Sequence, residues 1–130
     1  MSIERKSTIR THADLEVFQR AFEAAMIWFN ASRHFPVEER YALTDQGRRS
    51  SRSVCANLAE AWRKRRYPAA FLSKLNECEG EAAETQVWIQ FAVKCGYLTP
   101  PEGQSLMAEY DAILGMLVAM IRRPEAWHLP

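Results

Sequence analysis

The feature that most constrains the fold of this 130-residue chain is the stretch from Thr44 to Arg66, TDQGRRSSRSVCANLAEAWRKRR. When its residues are spaced at about 100° around a helix axis, small and apolar side chains fall on one face and charged side chains on the other. The small and apolar face consists of Gly47, Ser51, Val54, Cys55, Leu58, Ala61 and Trp62. The pattern predicts an amphipathic helix that buries one face in a core, starts with Thr44 as its N-cap and ends before Pro68.

Apolar residues at spacings of three and four predict three further helices. The first spans residues 15 to about 34, and the third begins at Pro68 and is closed by Gly96. The fourth follows a capping box at Thr99 and Glu102. The predicted core faces of these helices are Leu15, Phe18, Phe22, Ala25, Phe29 and Ser32; Phe71, Leu75, Cys78, Ala82, Thr85, Ile89 and Ala92; and Leu106, Tyr110, Ile113, Leu117 and Met120.

The arrangement of these segments predicts an all-α protein. No stretch alternates between apolar and polar residues for long enough to be a strand. Four helices joined by short links predict an antiparallel up-down-up-down four-helix bundle in a single domain. Residues 1–13 are predicted to form a flexible N-terminal arm, and residues 124–130 a C-terminal tail.

The composition of the chain predicts its cellular location. The N-terminus has no apolar segment of the kind found in a signal peptide, and no uninterrupted apolar run approaches 18 residues, so we expect no membrane association. The odd number of cysteines, Cys55, Cys78 and Cys95, on apolar helix faces predicts free core thiols and a reducing, cytoplasmic location.

The chain lacks the residue patterns of an enzyme or a metalloprotein. His12, His34 and His128 lie far apart, and none has a second ligand pair at metal-binding spacing. The five glycines are scattered singly, so no phosphate-binding loop is predicted. We therefore expect no catalytic residues, no metal and no cofactor.

The predicted second helix carries a cluster of cations although the net charge of the chain is only +1. Their arrangement predicts a phosphate-contacting surface for RNA or DNA. The alternative is a solvated helix end favoured by the helix dipole, with the remaining cations neutralised by the glutamates of the third helix. Arg48 lies near the border with the core face, so for this residue the alternative to phosphate contact is a pairing with Glu84 across helices. Whether Asn57 and Glu60 are solvated or bond to another helix is left open. The candidate nucleic-acid-binding residues are Arg48, Arg49, Arg52, Arg63, Lys64, Arg65 and Arg66.

A second apolar stripe lies beside the predicted core stripe of the first helix. A surface helix needs one stripe for its own core, so the additional one predicts that another helix, for example from a partner subunit, docks there. Two aromatic residues flank the core stripe of the third helix and extend the same prediction. The candidate oligomer-interface residues are Val17, Ala21, Ala24, Trp28, Trp88 and Phe91.

The run from Leu43 to Trp62, LTDQGRRSSRSVCANLAEAW, resembles the pattern L-T-x-Q-h-R-R-A-x-x-S-h-x-x-N-h-A-E-G of the proteins encoded by intervening sequences in large-subunit ribosomal RNA genes. The resemblance extends over about residues 14–121. The chain departs from the pattern at Gly47, Arg52, Cys55 and Ala61. Matching polar positions include Gln46, Arg48, Arg49, Ser53, Asn57 and Glu60, and Glu84 fits the pattern of the third helix.

The resemblance implies a cytoplasmic four-helix bundle that assembles as a homopentamer. The accessory proteins of diversity-generating retroelements are similar to this family, and they imply nucleic acid and a reverse transcriptase as partners. We therefore hypothesise a non-enzymatic, self-associating bundle that binds RNA or DNA through its basic second helix. The competing hypothesis is a structural or protein–protein interaction module without nucleic-acid binding.

Overall fold

The computed structural model describes residues 9–128 and contains four long helices. These are α1 (Glu16–Ser32), α2 (Asp45–Arg63), α3 (Pro68–Lys94) and α4 (Pro100–Arg122). No strand occurs between residues 9 and 128. The prediction of an all-α, four-helix protein is confirmed. Residues 1–8 of the predicted arm and the last two residues of the predicted tail lie outside the described part of the chain.

Each helix packs against two neighbours, in the order α1, α2, α3, α4 and back to α1. Early in α2, Ser50 meets Thr85 late in α3, and late in α2, Glu60 meets Lys74 early in α3. The α3–α4 contacts follow the same order, with Val93 close to Gly103 and Gln86 bonded to Asp111. Residues further along one helix therefore meet earlier residues of the next, and these neighbours run in opposite directions.

The connection from α1 to α2 is helical rather than a loose connector. A short 3-10 turn, Val37–Glu39, leads into a π-helical turn, Arg40–Thr44, that runs directly into α2. Thr44 has helical backbone angles, and its side chain makes no capping hydrogen bond. The predicted N-cap at Thr44 is therefore wrong. The backbone N–H of Asp45 instead donates to the carbonyl of Arg40, because the preceding turn already supplies acceptors.

The buried face of α1 differs from the predicted one. Trp28 is fully buried, its ring packs against Gly47 of α2, and its Nε1 donates to the carbonyl of Thr44 at 3.2 Å. Phe22, predicted to be in the core, is 54% exposed, and Phe29 is only partly buried. The buried residues of α1 are Val17, Ala21, Ala24, Ala25, Trp28 and Ser32.

This burial removes the α1 part of the predicted oligomer interface. Val17, Ala21, Ala24 and Trp28 are each at most 4% exposed within the single chain. A partner subunit has no access to side chains that the protein's own helices already cover. The prediction that these residues contact a partner is wrong, and the additional apolar stripe of α1 is the one containing Phe18 and Phe22.

The other three helices bury the faces that their periodicity predicts. All seven predicted core residues of α3 and all five of α4 are buried. In α2 the predicted apolar face is buried together with Ser50. Gly96 has a φ of 82° directly after α3, and Thr99 and Glu102 form the predicted capping box of α4. The prediction is accurate where a helix carries a single dominant apolar stripe.

By length and composition, α4 is the one helix among residues 9–128 that is apolar enough to cross a membrane. The core helix of a soluble protein meets the same criteria. In this fold α4 packs between α1 and α3. Its residues Leu106, Ile113 and Leu117 lie in the shared core.

Polar side chains are buried where α2, α3 and α4 meet. Ser50 and Thr85 share a hydrogen bond of 2.7 Å, and Thr85 also donates to the carbonyl of Glu81. The hydroxyl of Tyr110 is buried and makes no hydrogen bond among the described residues. Burial raises the pKa of Tyr110, and the nearby hydroxyls of Thr85 and Ser51 oppose the rise. Hydroxyl pairs of this kind give the α2–α3 contact a defined register.

The three cysteines have different environments. Cys55 and Cys78 are buried, which raises the pKa of the Cys55 thiol to about 11 and that of the Cys78 thiol to about 12. Cys95 is exposed at the end of α3, so the prediction that it is a core thiol is wrong. Exposure of this position follows from its place at the C-cap, beyond the last buried residue of α3, Ala92.

Candidate nucleic-acid interface and apolar surfaces

The cations in the first half of α2 are occupied by contacts within the chain. Arg49 donates to Glu81 at 3.0 Å and also to Glu84, and the hydrogen bond to Glu84 is the main cause of a raised pKa of Arg49. Glu84 also accepts from the Nε1 of Trp88 at 3.1 Å. The alternative pairing of Arg48 with Glu84 does not form, because it is Arg49 whose side chain reaches α3.

Arg48 and Arg52 turn the other way, toward α1. Arg48 donates through Nε to the hydroxyl of Ser32 at 3.1 Å, and its guanidinium lies 4.8 Å from the ring centre of Phe29. The guanidinium of Arg52 lies 5.7 Å from the same ring. Cation–π contacts of this kind stabilise an aromatic ring at the surface by about 0.5–1 kcal/mol each. They account for the partly buried position of Phe29 outside the core.

The cations at the far end of α2 are more accessible. Arg63, Lys64 and Arg66 are exposed. Arg65 differs, because its guanidinium lies 3.5 Å from the ring centre of Trp62 and its Nε donates to the Trp62 carbonyl at 2.7 Å. Burial, with a smaller contribution from the charge of Arg63, lowers the pKa of Arg65.

Two cations that the sequence analysis did not single out lie at the same end of the bundle. Arg122 ends α4 and Arg123 follows it, and both are exposed. The chain then turns back, and the ring of Trp127 packs 6.5 Å from that of Trp62. We call this surface the basic end, and it consists of Arg63, Lys64, Arg65, Arg66, Arg122 and Arg123. In an up-down-up-down bundle the second and fourth helices end on the same side, so the predicted topology already contained this signal.

The polar residues of the family pattern make local contacts. Asn57 donates to the hydroxyl of Ser53 at 3.0 Å within α2. Glu60 pairs with Lys74 of α3 at 2.7 Å, and this pairing lowers the pKa of Glu60. Gln46 donates to a backbone carbonyl of the preceding turn at 3.4 Å. Of the two residues left open by the sequence, Glu60 bonds across helices and Asn57 does not.

The exposed apolar side chains between residues 9 and 128 include two surfaces formed by neighbouring residues. The first, the α1–α2 groove, has a volume of about 390 Å³ and is lined by Phe18, Phe22, Ala25, Met26, Ala56 and Ala59, with Arg52 at its rim. The second, the α3 surface, consists of the exposed Val87 and Phe91 and the partly buried Trp88, and Phe91 is 54% exposed. Of the predicted oligomer interface, Phe91 therefore remains accessible and Trp88 is accessible in part. Exposed apolar surface of this kind marks sites of protein association.

The described part of the chain contains no arrangement that points to catalysis. Between residues 9 and 128, no group of three or more His, Cys, Asp or Glu side chains is placed to hold a metal ion. A groove of about 640 Å³ between α1 and α4 contains the ion pair of Arg20 and Glu109 at 2.7 Å. That contact neutralises both charges and joins two helices, which is a structural role.

The fold and its surfaces define a small, all-α four-helix bundle protein with a basic end and exposed apolar surfaces. The chain belongs to the 23S rRNA-intervening sequence protein family, whose model matches residues 13–119. It is also similar to the crystal structure of a protein of unknown function from the S23 ribosomal protein family of Bacteroides thetaiotaomicron VPI-5482. The two share 29% sequence identity with a TM-score of 0.72, over 81% of this chain and 97% of the other. No curated protein matches the chain.

Proposed function

We propose that this protein is a non-enzymatic bundle that binds RNA through its basic end. The observation that carries the proposal is the difference between the two ends of the bundle. Two helices, α2 and α4, terminate at the basic end, and two helices, α1 and α3, terminate at the opposite end. Helix dipoles favour cations equally at both.

The cations are nevertheless distributed unequally. Among residues 9–128 the basic end has six, with Asp14, Glu16 and Glu125 nearby. The opposite end has Arg33, Arg40 and Lys94 together with several acidic residues, Glu38, Glu39, Asp45 and Glu102. Dipole compensation alone does not produce this asymmetry, and a phosphate-binding role does.

The ligand chemistry follows from the side chains. Arginine and lysine contact phosphates without reading bases, so binding is expected to tolerate different sequences. Each phosphate contact to a single strand contributes about −0.7 to the slope of log K against log salt concentration. Three exposed side chains, those of Arg63, Lys64 and Arg66, therefore predict a slope that changes by roughly 2 when they are removed.

The test compares two triple variants that remove the same charge from opposite ends. Arg63→Ala, Lys64→Ala and Arg66→Ala together are expected to reduce RNA affinity at least tenfold at 50 mM salt and to flatten its salt dependence. The matched control, Arg33→Ala, Arg40→Ala and Lys94→Ala, should bind RNA within about twofold of the wild type. Melting temperatures measured on all three proteins separate lost binding from lost folding.

Either of two results would overturn the proposal. Equal losses in the two triple variants would mean that only overall charge matters. Absence of wild-type binding to RNA and DNA at 50 mM salt would leave the protein as a structural or interaction module without nucleic-acid binding.

A second candidate function, self-association, is favoured by the exposed apolar surfaces. The α1–α2 groove and the α3 surface are different in shape, so contact between them joins copies head to tail, and such contacts close into rings when the rotation permits. We propose a homo-oligomer of this kind, with five subunits expected. Light scattering should give about five times the 15.0 kDa mass of one chain.

Phe22 provides the sharpest test of this assembly. Phe22→Ser in the groove should lower the mass toward that of one chain, because its ring is half exposed and its loss leaves the core intact. Tyr41→Ser, at an even more exposed aromatic residue outside both surfaces, is the matched control and should leave the mass unchanged. A wild-type monomer at micromolar concentration would exclude self-association.

A further inference from the structure

The basic end carries an exposed aromatic ring directly after its run of four cations. Tyr67 is 61% exposed in the turn between α2 and α3. Its backbone N–H donates to the carbonyl of Lys64 at 2.9 Å, and its carbonyl accepts from the N–H of Phe71 at 2.9 Å. Pro68 follows and restricts the backbone further. The ring therefore projects from a fixed point of the fold rather than from a long loop.

The fold does not require an aromatic residue at this position. The hydroxyl of Tyr97 donates a hydrogen bond to Glu39 at 2.8 Å, and Tyr110 is buried in the core, so both tyrosines have structural roles. The side chain of Tyr67 makes no hydrogen bond or ring contact with any residue between 9 and 128. A large ring that is mostly exposed, and that directly follows the run of cations ending at Arg66, has the composition of a single-strand binding site.

We propose that Tyr67 is a stacking platform for an unpaired base, and that the basic end consequently prefers single-stranded RNA to duplex RNA. This inference rests on the proposed RNA binding and specifies its ligand. A base in a duplex is stacked on its neighbours and its face is inaccessible, whereas an unpaired base can turn out onto an aromatic ring. The adjacent cations then contact the phosphates on either side of that base.

The cations that precede Tyr67 have two different roles, holding the turn in place and contacting phosphates. The guanidinium of Arg65 is occupied by Trp62, so it holds the turn rather than reaching outward. Arg63, Lys64 and Arg66 are exposed and provide the phosphate contacts. A flexible single strand can adapt its phosphate spacing to these three side chains, while an A-form duplex presents a fixed spacing.

The experiment measures affinities for a mixed-sequence 12-nucleotide RNA and for the duplex that it forms with its complement, both at 50 mM salt. Wild-type protein is expected to bind the single strand more tightly. Tyr67→Ala should weaken single-strand binding about tenfold and duplex binding by less than twofold, because stacking on one aromatic ring contributes roughly this factor. Tyr67→Phe keeps the aromatic face and should retain the affinity.

Tyr41→Ala is the matched control, because Tyr41 is also exposed but precedes α2 and so lies at its other end. It should change neither affinity. Equal wild-type affinity for both RNAs, or a Tyr67→Ala effect that is the same for both or absent, would overturn the stacking proposal while phosphate binding stands. Absence of binding to either RNA would instead overturn the proposed RNA binding itself. Melting temperatures confirm that each variant is folded.

Discussion

The two halves of α2 carry the same type of residue and use it differently. Arg48 and Arg49 in the first half contact Ser32, Phe29, Glu81 and Glu84 from the flanking helices. At the other end, three of four consecutive cations are exposed. The difference arises from the part of α3 that lies beside each half of α2. Glu81 and Glu84 of α3 pair with Arg49 in the first half, whereas the first turn of α3 has no acidic residue.

A cation's position along a helix therefore does not by itself indicate its role. Partners from neighbouring helices turn Arg49 into part of the fold, and their absence leaves Arg63 and Arg66 for a ligand. If this is correct, substitution of the ion-paired Arg49 should affect stability, and substitutions at the basic end should affect RNA binding.

The largest expected effect is at Gly47, where the first half of α2 is packed most tightly. A β-carbon at this position would lie 2.2 Å from the ring of Trp28, which is fully buried and has no space to move. Gly47→Ala is therefore expected to lower the free energy of unfolding by about 2 kcal/mol, since the overpacking exceeds the helix propensity gained. Chemical denaturation measures the change.

Gly80 provides the control for this substitution. A β-carbon there meets nothing within 4 Å, so Gly80→Ala in the middle of α3 should stabilise the protein by about 0.5–1 kcal/mol. If Gly47→Ala were also stabilising, the close packing of Trp28 against α2 would be wrong.

The packing at Gly47 also explains why the buried face of α1 could not be predicted from the sequence. The apolar stripes of α3 and α4 predict their buried faces correctly, because each helix has one dominant stripe. α1 has two apolar stripes. Phe18 and Phe22 are larger and more hydrophobic than Ala21 and Ala24, so the sequence pattern favours the stripe with the phenylalanines as the buried one. The alanines are buried because they allow close approach of helices around Trp28, and that depends on Gly47 in another helix. Such a pairing is not visible in the periodicity of one segment.

The next largest effect is expected at Arg49. Arg49→Ala removes its ion pairs and leaves Glu81 and Glu84 close together without a cation. The side chain of Arg49 is 50% exposed, so solvent screening limits the expected loss to about 1 kcal/mol. The loss should shrink in high salt, which screens the repulsion between the two carboxylates.

Arg52→Ala is the comparison for this variant, because Arg52 lies on the same helix but contacts only the edge of α1. Its loss should change stability by no more than about 0.5 kcal/mol. Equal effects at Arg49 and Arg52 would remove the distinction between a partnered and an exposed cation within α2.

The candidate site was predicted in part. The run from Arg63 to Arg66 is evident from the sequence, since helix periodicity and Pro68 place it at a helix end. The role of Arg49 was assigned to Arg48, because adjacent residues differ by about 100° around the helix and the rotation of α2 against α3 depends on side-chain packing. Arg122 and Arg123 join the site through tertiary structure, which brings the ends of α2 and α4 together.

A smaller effect of opposite sign is expected at Tyr110, whose buried hydroxyl lies beside the first half of α2 without a hydrogen bond among the described residues. The hydroxyls of Thr85 and Ser51 lie close to it, but neither forms a hydrogen bond of full geometry with it. Tyr110→Phe removes this poorly satisfied hydroxyl and keeps the ring, so it should stabilise the protein by about 0.5 kcal/mol. Thr85→Val, which removes the partner of Ser50, should destabilise it. A destabilised Tyr110→Phe protein, measured by thermal denaturation, would mean that the hydroxyl has a partner in solution.

The smallest stability effect is expected where the RNA-binding effect is largest. Replacing Arg63, Lys64 and Arg66 together by alanine removes favourable interactions with the C-terminal dipole of α2, each of about 0.3 kcal/mol at an exposed position. It also removes repulsion among neighbouring cations, which is of similar size and opposite sign. The free energy of unfolding should therefore change by less than about 0.5 kcal/mol, and the small difference should vary with salt because both contributions are screened. A loss above about 1.5 kcal/mol in denaturant titrations would show that these cations support the fold as Arg49 does. The two halves of α2 would then be alike, and the cations of the basic end would stabilise the fold instead of being free to bind a ligand.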